Sequence, residues 1–375
     1  MTAAPEALDP AVAALHRAMP YTRLIDCGMN PADARTLLAD TASGRAWTDV
    51  AGELATRRAD AGETALAAGH RLTAVQQVRW AVAAALFAQM AENDDTPLKQ
   101  RLYRRYVDLV HQAAQLHEPA IERVTVPYRN GRLVGWLCLP PGGTASATVV
   151  VWGGLSGWGA AYLPVAEAYT ARGLACLLAE GPGQGESRLT HRLYADEQVV
   201  QGFARFVDVA RADPRLGDGI GVQGVSFGGL FAAHLAAADP RIGAVVINGA
   251  PAAPAIPHHR TAREQLTALV GTEDPTRVAE VMDSLRFGPD THHITCPLLL
   301  LHGGQDPLAR FPDQEPFLKA VEPATATLRV WPDGEHTLYN HAAERDAYTA
   351  DWFTDALGVP APAGQPARRP STEGR

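Results

Sequence analysis

The chain has 375 residues, of which 46% are hydrophobic and 20% charged, so it can bury a large α/β core with an added lobe and needs no disulfide or structural metal for stability. The net charge of -8 leaves no basic face for a polyanion and argues against nucleic-acid binding. No stretch approaches 18 uncharged apolar residues, and the start MTAAPEALDP lacks both a positive n-region and an apolar h-region, so neither a membrane span nor a secretory signal is expected.

Residues 1–118 are rich in Ala, Leu and Arg, with helical periodicity and no convincing strand, and are expected to form an N-terminal helical lobe. The clearest helices run from Thr73 to Ala91 and from Pro97 to Gln115. In the second, Leu98, Leu102, Tyr106, Leu109 and Val110 recur at spacings of three and four and predict one apolar stripe. The segment Asn93-Asp94-Asp95-Thr96-Pro97 reads as a loop ending in an N-cap with Pro at the first helical position. The arginines of Arg101-Leu-Tyr-Arg-Arg105 are expected on a solvated face or in salt bridges between lobes.

From residue 119 the texture changes to alternating strands and helices, and 119–357 is expected to form a single α/β domain. Ile121–Tyr128 and Leu133–Leu139 flank Arg129-Asn130-Gly131-Arg132, and the Asn-Gly pair predicts a hairpin. Apolar runs follow at Thr148–Trp152, Ala175–Ala179, Ile220–Gly224, Ala244–Ile247, Leu298–Leu301 and Thr327–Trp331. Their continuous apolar character predicts strands covered on both faces, in a mostly parallel, doubly wound sheet. The stretch of about 251–295 carries Pro251, Pro254 and Pro257 and helix-like segments near 261–270 and 275–286, so a helical insertion is expected before the strand at Leu298. The tail 358–375 is rich in Pro, Gly and Arg and is expected to be disordered.

The chemistry centres on Gly224-Val225-Ser226-Phe227-Gly228. This pentapeptide follows a strand and opens a helix, the context of a nucleophile elbow. A serine placed there projects at a helix N-terminus, where exposed amides favour developing negative charge. It needs a base, and the base needs an orienting acid, in the chain order Ser, acid, His. Asp306 follows the strand at Leu298–Leu301, 80 residues past the serine, and His336 follows the last strand, 30 residues further on. Both sit where strands of an open α/β sheet end and sites assemble. His341, Asp333 and Asp313 are the weaker rivals. The oxyanion hole is expected to use the backbone N–H of Phe227 and one from Gly153-Gly154-Leu155-Ser156-Gly157, that of Leu155 or else Gly154.

Glu180-Gly-Pro-Gly-Gln-Gly-Glu186 fits neither phosphate-binding spacing and reads as a structural turn, with Glu180 a pocket candidate beside Trp152, Trp158 and Phe227. His258-His259 and His292-His293 have no ligand-spaced carboxylate or cysteine, so no metal is expected, and no cofactor. Cys27, Cys138, Cys176 and Cys296 lie far apart. Free thiols are expected, which fits a reducing cytoplasm.

These residues together resemble the α/β-hydrolases related to the fermentation-respiration switch protein and to 2,6-dihydroxypseudooxynicotine hydrolase, with the fungal polyketide chain-shortening hydrolases nearby. The resemblance spans roughly residues 70–357. It rests on Lys99-Gln-Arg-Leu-Tyr-Arg-Arg-Tyr, Gly153-Gly154-Leu155, Glu180-Gly-Pro-Gly-Gln-Gly-Glu-Ser187, Gly224-Val-Ser-Phe-Gly-Gly229, His302-Gly-Gly-Gln-Asp306 and Gly334-Glu-His336. It implies Ser226, Asp306 and His336 as a triad, in a cleft between the helical lobe and the core. It also implies substrates that are aryl ketones or 1,3-dicarbonyls cleaved at a carbon–carbon bond, or esters, and homodimers are common in the group. Two positions depart from the pattern: Ser156 stands where relatives often carry an acid, and no carboxylate lies between Ala250 and Arg263. The expected activity is cofactor-free hydrolysis of a small-molecule carbonyl compound. The same residues would serve an acyltransferase, while an intact Ser-Asp-His set argues against a non-catalytic scaffold.

Overall fold

The computed structural model describes residues 8–256 and 260–360. The expectations for the extreme N-terminus, for His258-His259 and for most of the Pro-rich tail lie outside the described residues.

Six helices come first: α1 (Pro10–Ala18), α2 (Tyr21–Asp26), α3 (Pro31–Ala42), α4 (Trp47–Ala67), α5 (Arg71–Met90) and α6 (Pro97–Leu116). The caps explain where three of them start. Asp9, Asn30 and Thr96 each accept a backbone N–H of the first turn, and each is followed by Pro at the first helical position. On α6 the expected stripe is buried at Tyr106, Leu109 and Val110, but in the first turns the buried face is displaced by one residue. Lys99, Tyr103, Tyr106, Leu109 and Val110 are buried, while Leu98 and Leu102 are only partly covered. The Lys99 side chain is accepted because its ammonium donates to Gln89 O (2.8 Å), Gln89 Oε1 (2.5 Å) and Glu92 O (2.8 Å), all at the end of α5 or just beyond it. Arg101, Arg104 and Arg105 face outward, as expected.

The remainder alternates: β1 (Glu122–Tyr128), β2 (Gly131–Cys138), β3 (Ala147–Trp152), α7 (Leu163–Thr170), β4 (Leu174–Glu180), α8 (Gly185–Leu189), α9 (Val199–Ala212), β5 (Gly219–Val225), α10 (Phe227–Ala238), β6 (Ala244–Asn248), α11 (Arg260–Val270), α12 (Pro275–Ser284), β7 (Leu298–Gly303), α13 (Phe311–Lys319), β8 (Ala326–Trp331) and α14 (Ala342–Ala356). The sheet order is β1-β2-β4-β3-β5-β6-β7-β8, antiparallel at β1-β2-β4 and parallel from β4 onward. This is the α/β-hydrolase fold. The chain runs from β3 outward to β4 and then back to β5 on the other side of β3. The crevice at that reversal is where such sheets bind ligands.

The predicted β1–β2 hairpin forms, and one local expectation, for the last strand, needs correction. The β1–β2 hairpin pairs Tyr128 with Gly131, so its two-residue turn is Arg129-Asn130, with the positive φ at Arg129 (49°) rather than at a glycine. The Arg129 side chain forms an ion pair with Asp196 (2.7 Å). The run at Thr327–Trp331 is not covered on both faces. It lies within β8, the edge strand, and Leu328 and Val330 are each 41% exposed. The interior strands β3 to β7 are buried almost throughout. Cys138, Cys176 and Cys296 are buried free thiols and Cys27 is a partly buried one. No helix among the described residues is long and apolar enough to cross a membrane.

Candidate active site

Ser226 sits between β5 and α10 with φ 55° and ψ -136°, a conformation that L side chains rarely adopt. Its backbone N–H donates to Asn248 O (2.7 Å), which ties the turn to the neighbouring strand β6. Close packing dictates the flanking residues. A Cβ on Gly224 would run into Gly228 O, and one on Gly228 into Gly153 O. The glycines of the motif therefore let strand, helix and the loop after β3 meet at van der Waals distance.

The other two predicted residues converge on this turn. His336 Nε2 lies 2.8 Å from Ser226 Oγ, and its Nδ1 lies 2.9 Å and 3.0 Å from the two oxygens of Asp306. Asp306 Oδ1 also accepts the N–H groups of Leu308 (2.8 Å) and Ala309 (3.0 Å). Burial pushes this carboxyl up, but the His336 charge and hydrogen bond and the two amides outweigh it and hold it below its ordinary value. The rivals fall elsewhere: His341 pairs with Asp333 (3.0 Å), and Asp313 pairs with Arg310.

The loop after β3 meets the elbow at Gly154, where a Cβ would approach the Phe227 amide nitrogen to 2.7 Å. The loop's orientation comes from Gln184, which is 1% exposed. Its Nε2 donates to Gly153 O (2.6 Å) and Gly154 O (3.0 Å). In a trans peptide the C=O and the next N–H point in opposite directions. Drawing these two carbonyls toward Gln184 therefore turns the N–H groups of Gly154 and Leu155 the other way. The Glu180–Glu186 turn, expected to be structural, thus reaches the site through Gln184, a residue that sequence reasoning passed over. A lone amide in a glycine-rich turn was the available signal.

The base loop carries further strain. Thr337 and Leu338 have φ 52° and 66°. Their peptide is held at Thr337 O, which accepts Asn248 Nδ2 (3.0 Å) and an Arg345 N–H (2.9 Å). Arg345 is in turn fixed by Asp346 (2.7 Å) and by Asp26 of α2 (2.7 Å). Neither Asn248 nor Arg345 stands in a motif, and nothing in the sequence marked them.

The suggested pocket residues divide. Trp152 is fully buried in the core: its indole N–H donates to Gly228 O (2.9 Å), and its ring packs on Phe203, which makes it a support beneath the elbow rather than a wall. Phe227 stacks edge-on against Phe231. Trp158 lies between the helical segment and the core, with the Lys99 ammonium 4.2 Å from its ring centroid and the Arg188 guanidinium at 5.5 Å. Glu180 is also at this junction. It accepts the Glu186 N–H (2.8 Å) and the Tyr103 hydroxyl (3.2 Å), and burial raises its carboxyl to about 7. Among the described residues no group of three or more His, Cys, Asp or Glu side chains could hold a metal. His292 stacks on Phe287 and faces His234 edge-on.

Comparison with known proteins agrees with this architecture. The model of the prolyl oligopeptidase family matches residues 166–360. The chain is 28% identical over 318 residues to 2,6-dihydropseudooxynicotine hydrolase of Paenarthrobacter nicotinovorans, covering 83% of this chain and 84% of the relative. It is 32% identical over 201 residues to the α/β-hydrolase gkaG of Penicillium citrinum, a match covering 48% and 45% of the two chains. The crystal structure of the 2,6-dihydroxy-pseudo-oxynicotine hydrolase superposes with a TM-score of 0.80 at 25% identity, over 90% of this chain and 95% of that one.

Proposed function

The chain belongs to the prolyl oligopeptidase family of α/β-hydrolases, and from that premise we propose that it cleaves a carbonyl substrate through an acyl-enzyme formed on Ser226. The observation that carries this reading is the continuous hydrogen-bonded chain from Ser226 Oγ through His336 to Asp306 (2.8 Å and 2.9 Å).

His336 Nε2 takes the proton as Ser226 Oγ attacks the carbonyl carbon, and Asp306 holds the ring and stabilises the imidazolium. The oxyanion is received by the N–H of Phe227 and that of Leu155 or Gly154, each such donor being worth about 2.7–4 kcal/mol. Collapse of the tetrahedral adduct breaks the bond to the leaving group, which takes its proton from His336. In an ester the leaving group is an alcohol. In a 1,3-dicarbonyl or an aryl ketone it is a carbanion stabilised as its enolate or by the ring. Water, deprotonated by His336, then releases the acid. The similarity to a hydrolase of 2,6-dihydropseudooxynicotine agrees with the family resemblance read from the sequence, and it is that resemblance that brings in the carbon–carbon reading.

A fluorophosphonate probe tests the nucleophile: the wild type is labelled and Ser226→Ala is not. No labelling of the wild type, or equal labelling of both, refutes the proposal. A panel of aryl 1,3-diketones set against p-nitrophenyl esters decides the bond. Strong diketone turnover with poor ester turnover selects carbon–carbon hydrolysis, and the reverse selects an esterase.

A further inference from the structure

We propose that Arg23, on the short helix α2, is the recognition group for a carboxylate carried by the substrate. The inference rests on the Ser226 hydrolase reading and names the class of molecule that site receives.

The guanidinium stands between the two loops that flank Ser226. One N–H donates to Ser156 Oγ (2.7 Å), directly after the oxyanion-loop residue Leu155. Another donates to Ala18 O (2.7 Å). The group lies 5.6 Å from the ring centroid of Tyr339, whose ring is itself 6.1 Å from that of His336. A helix far from the catalytic motifs in sequence thus delivers a fixed positive charge to the wall of the site.

Among the described residues no carboxylate lies within 4 Å of that charge, and Asp26 of the same helix acts on it only from farther away. Every other arginine among the described residues that is not exposed has a carboxylate within 4 Å, and Arg23 has none. The acids around it are committed. Asp26 gives both oxygens to Arg345 (2.7 Å and 3.2 Å), Glu335 accepts the Thr22 hydroxyl (2.5 Å), and Asp306 is held by His336 and two amides. A sheltered cation with no carboxylate in contact can be stabilised further by an incoming one. Two of the five guanidinium N–H donors are used, which leaves three, and the fork they form matches a carboxylate. A second unmet polar group lies nearby. Tyr106 is 1% exposed and its hydroxyl has no partner. Tyr162 and Cys27 lie within electrostatic range of both Arg23 and Tyr106. The overall charge of -8 would repel an anion, so a local positive group of this kind is what an acidic substrate requires.

The experiment compares two substrates of equal chain length, p-nitrophenyl valerate and the p-nitrophenyl half-ester of glutaric acid, with spontaneous hydrolysis subtracted. The full chain, Arg23→Met, Arg23→Lys and Ser156→Asp are assayed, and thermal unfolding checks that each variant is folded. The wild type is expected to prefer the half-ester. Arg23→Met is expected to lower the ratio of the two kcat/KM values about tenfold or more, the scale of a charge-assisted hydrogen bond, mainly through KM. Arg23→Lys should restore part of the ratio. Ser156→Asp keeps Arg23 but supplies a resident carboxylate, and it should erase the preference. Equal losses on both esters in Arg23→Met, or a ratio unchanged in both Arg23→Met and Ser156→Asp, would overturn the proposal and leave Arg23 as a tie between α2 and the loop. Absence of turnover together with absence of fluorophosphonate labelling overturns the hydrolase reading itself, and this inference with it.

Discussion

Replacing Gln184 by Leu keeps the volume and removes the amide. Its Nε2 spans Gly153 O and Gly154 O, and its Oε1 accepts the Gly181 N–H (3.1 Å). Of the two carbonyls, Gly154 O retains the Gly157 N–H (3.1 Å), so Gly153 O bears most of the loss. Each neutral hydrogen bond contributes about 1 kcal/mol net, and a buried acceptor left unmet costs about 1–3 kcal/mol, so a stability loss of about 2–4 kcal/mol is expected. The effect on catalysis has a ceiling. If the loop slackens enough to misplace one oxyanion donor altogether, kcat falls about 10²–10³-fold. Partial misplacement predicts a drop of about 10–100-fold in kcat with KM nearly unchanged, because an oxyanion donor acts on the transition state rather than the bound substrate. Gln184→Glu should be worse above neutral pH, since it sets a carboxylate against carbonyl oxygens. Steady-state kinetics, the rate of fluorophosphonate labelling and thermal unfolding measure the three effects separately. A Gln184→Leu protein that loses stability but keeps kcat within about twofold of wild type would refute the claim that Gln184 orients the loop.

Three further outcomes follow from the same geometry. Gly154→Ala sets a methyl 2.7 Å from the Phe227 amide nitrogen, so kcat should fall about 10²–10³-fold, read by the same assays. Asp306→Asn should cost about 10⁴ in kcat through loss of ring orientation. Because the Asp306 carboxyl is held below its ordinary value when folded, its contribution to stability is present above about pH 4 and disappears as the pH falls through the folded value; urea unfolding of Asp306→Asn should therefore show a shallower acid limb than wild type. Glu180 has the opposite sign. Burial, opposed by the Glu186 N–H and the Tyr103 hydroxyl, raises it to about 7, so its ionisation costs stability progressively as the pH climbs from about 4.5 to 7, by roughly 3 kcal/mol in full. Glu180→Gln should flatten urea-unfolding stability between pH 5 and 8, and an unchanged slope would contradict the assignment.

The sheet was readable because burial on both faces writes itself into consecutive positions. The runs at Thr148, Ala175, Ile220, Ala244 and Leu298 coincide with β3 to β7 within a residue or two. Ser226 directly follows β5, Asp306 lies three residues past β7 and His336 five residues past β8, so strand ends pointed to all three positions. The edge strand β8 misled for the same reason. Its apolar run resembles the interior strands, and nothing along the chain records that no ninth strand lies beside it. The hairpin at Asn130-Gly131 was readable, but the Arg129 bond to Asp196, 67 residues away, was not. Nothing local marks Lys99 as buried, because the three oxygens that accept its ammonium become neighbours only when α5 and α6 fold back on each other.

What escaped notice around the site shares one property: every missed residue acts across elements. Thr22, Arg23 and Asp26 fall within the six residues of α2, and each grips a different piece of the machinery: the Glu335 carboxylate beside His336, Ser156 beside Leu155, and Arg345 behind Thr337. Backbone strain at Ser226, Thr337 and Leu338 costs on the order of 1–3 kcal/mol per residue and persists only where the surroundings over-determine the conformation. At the base loop that over-determination comes from Asn248 on the core side and from Arg345, clamped between Asp346 and the helical segment's Asp26, on the other. The N-terminal helices are therefore part of the site in an energetic sense. Without Asp26, Arg345 keeps Asp346 and Thr337 O but loses its tie to the N-terminal helices, so the Thr337–Leu338 peptide is held less firmly on that side. The order Ser226, Asp306, His336 can be found by reading strand ends. The conformation that lets those three side chains meet is set by a short helix some 200 residues before the first of them.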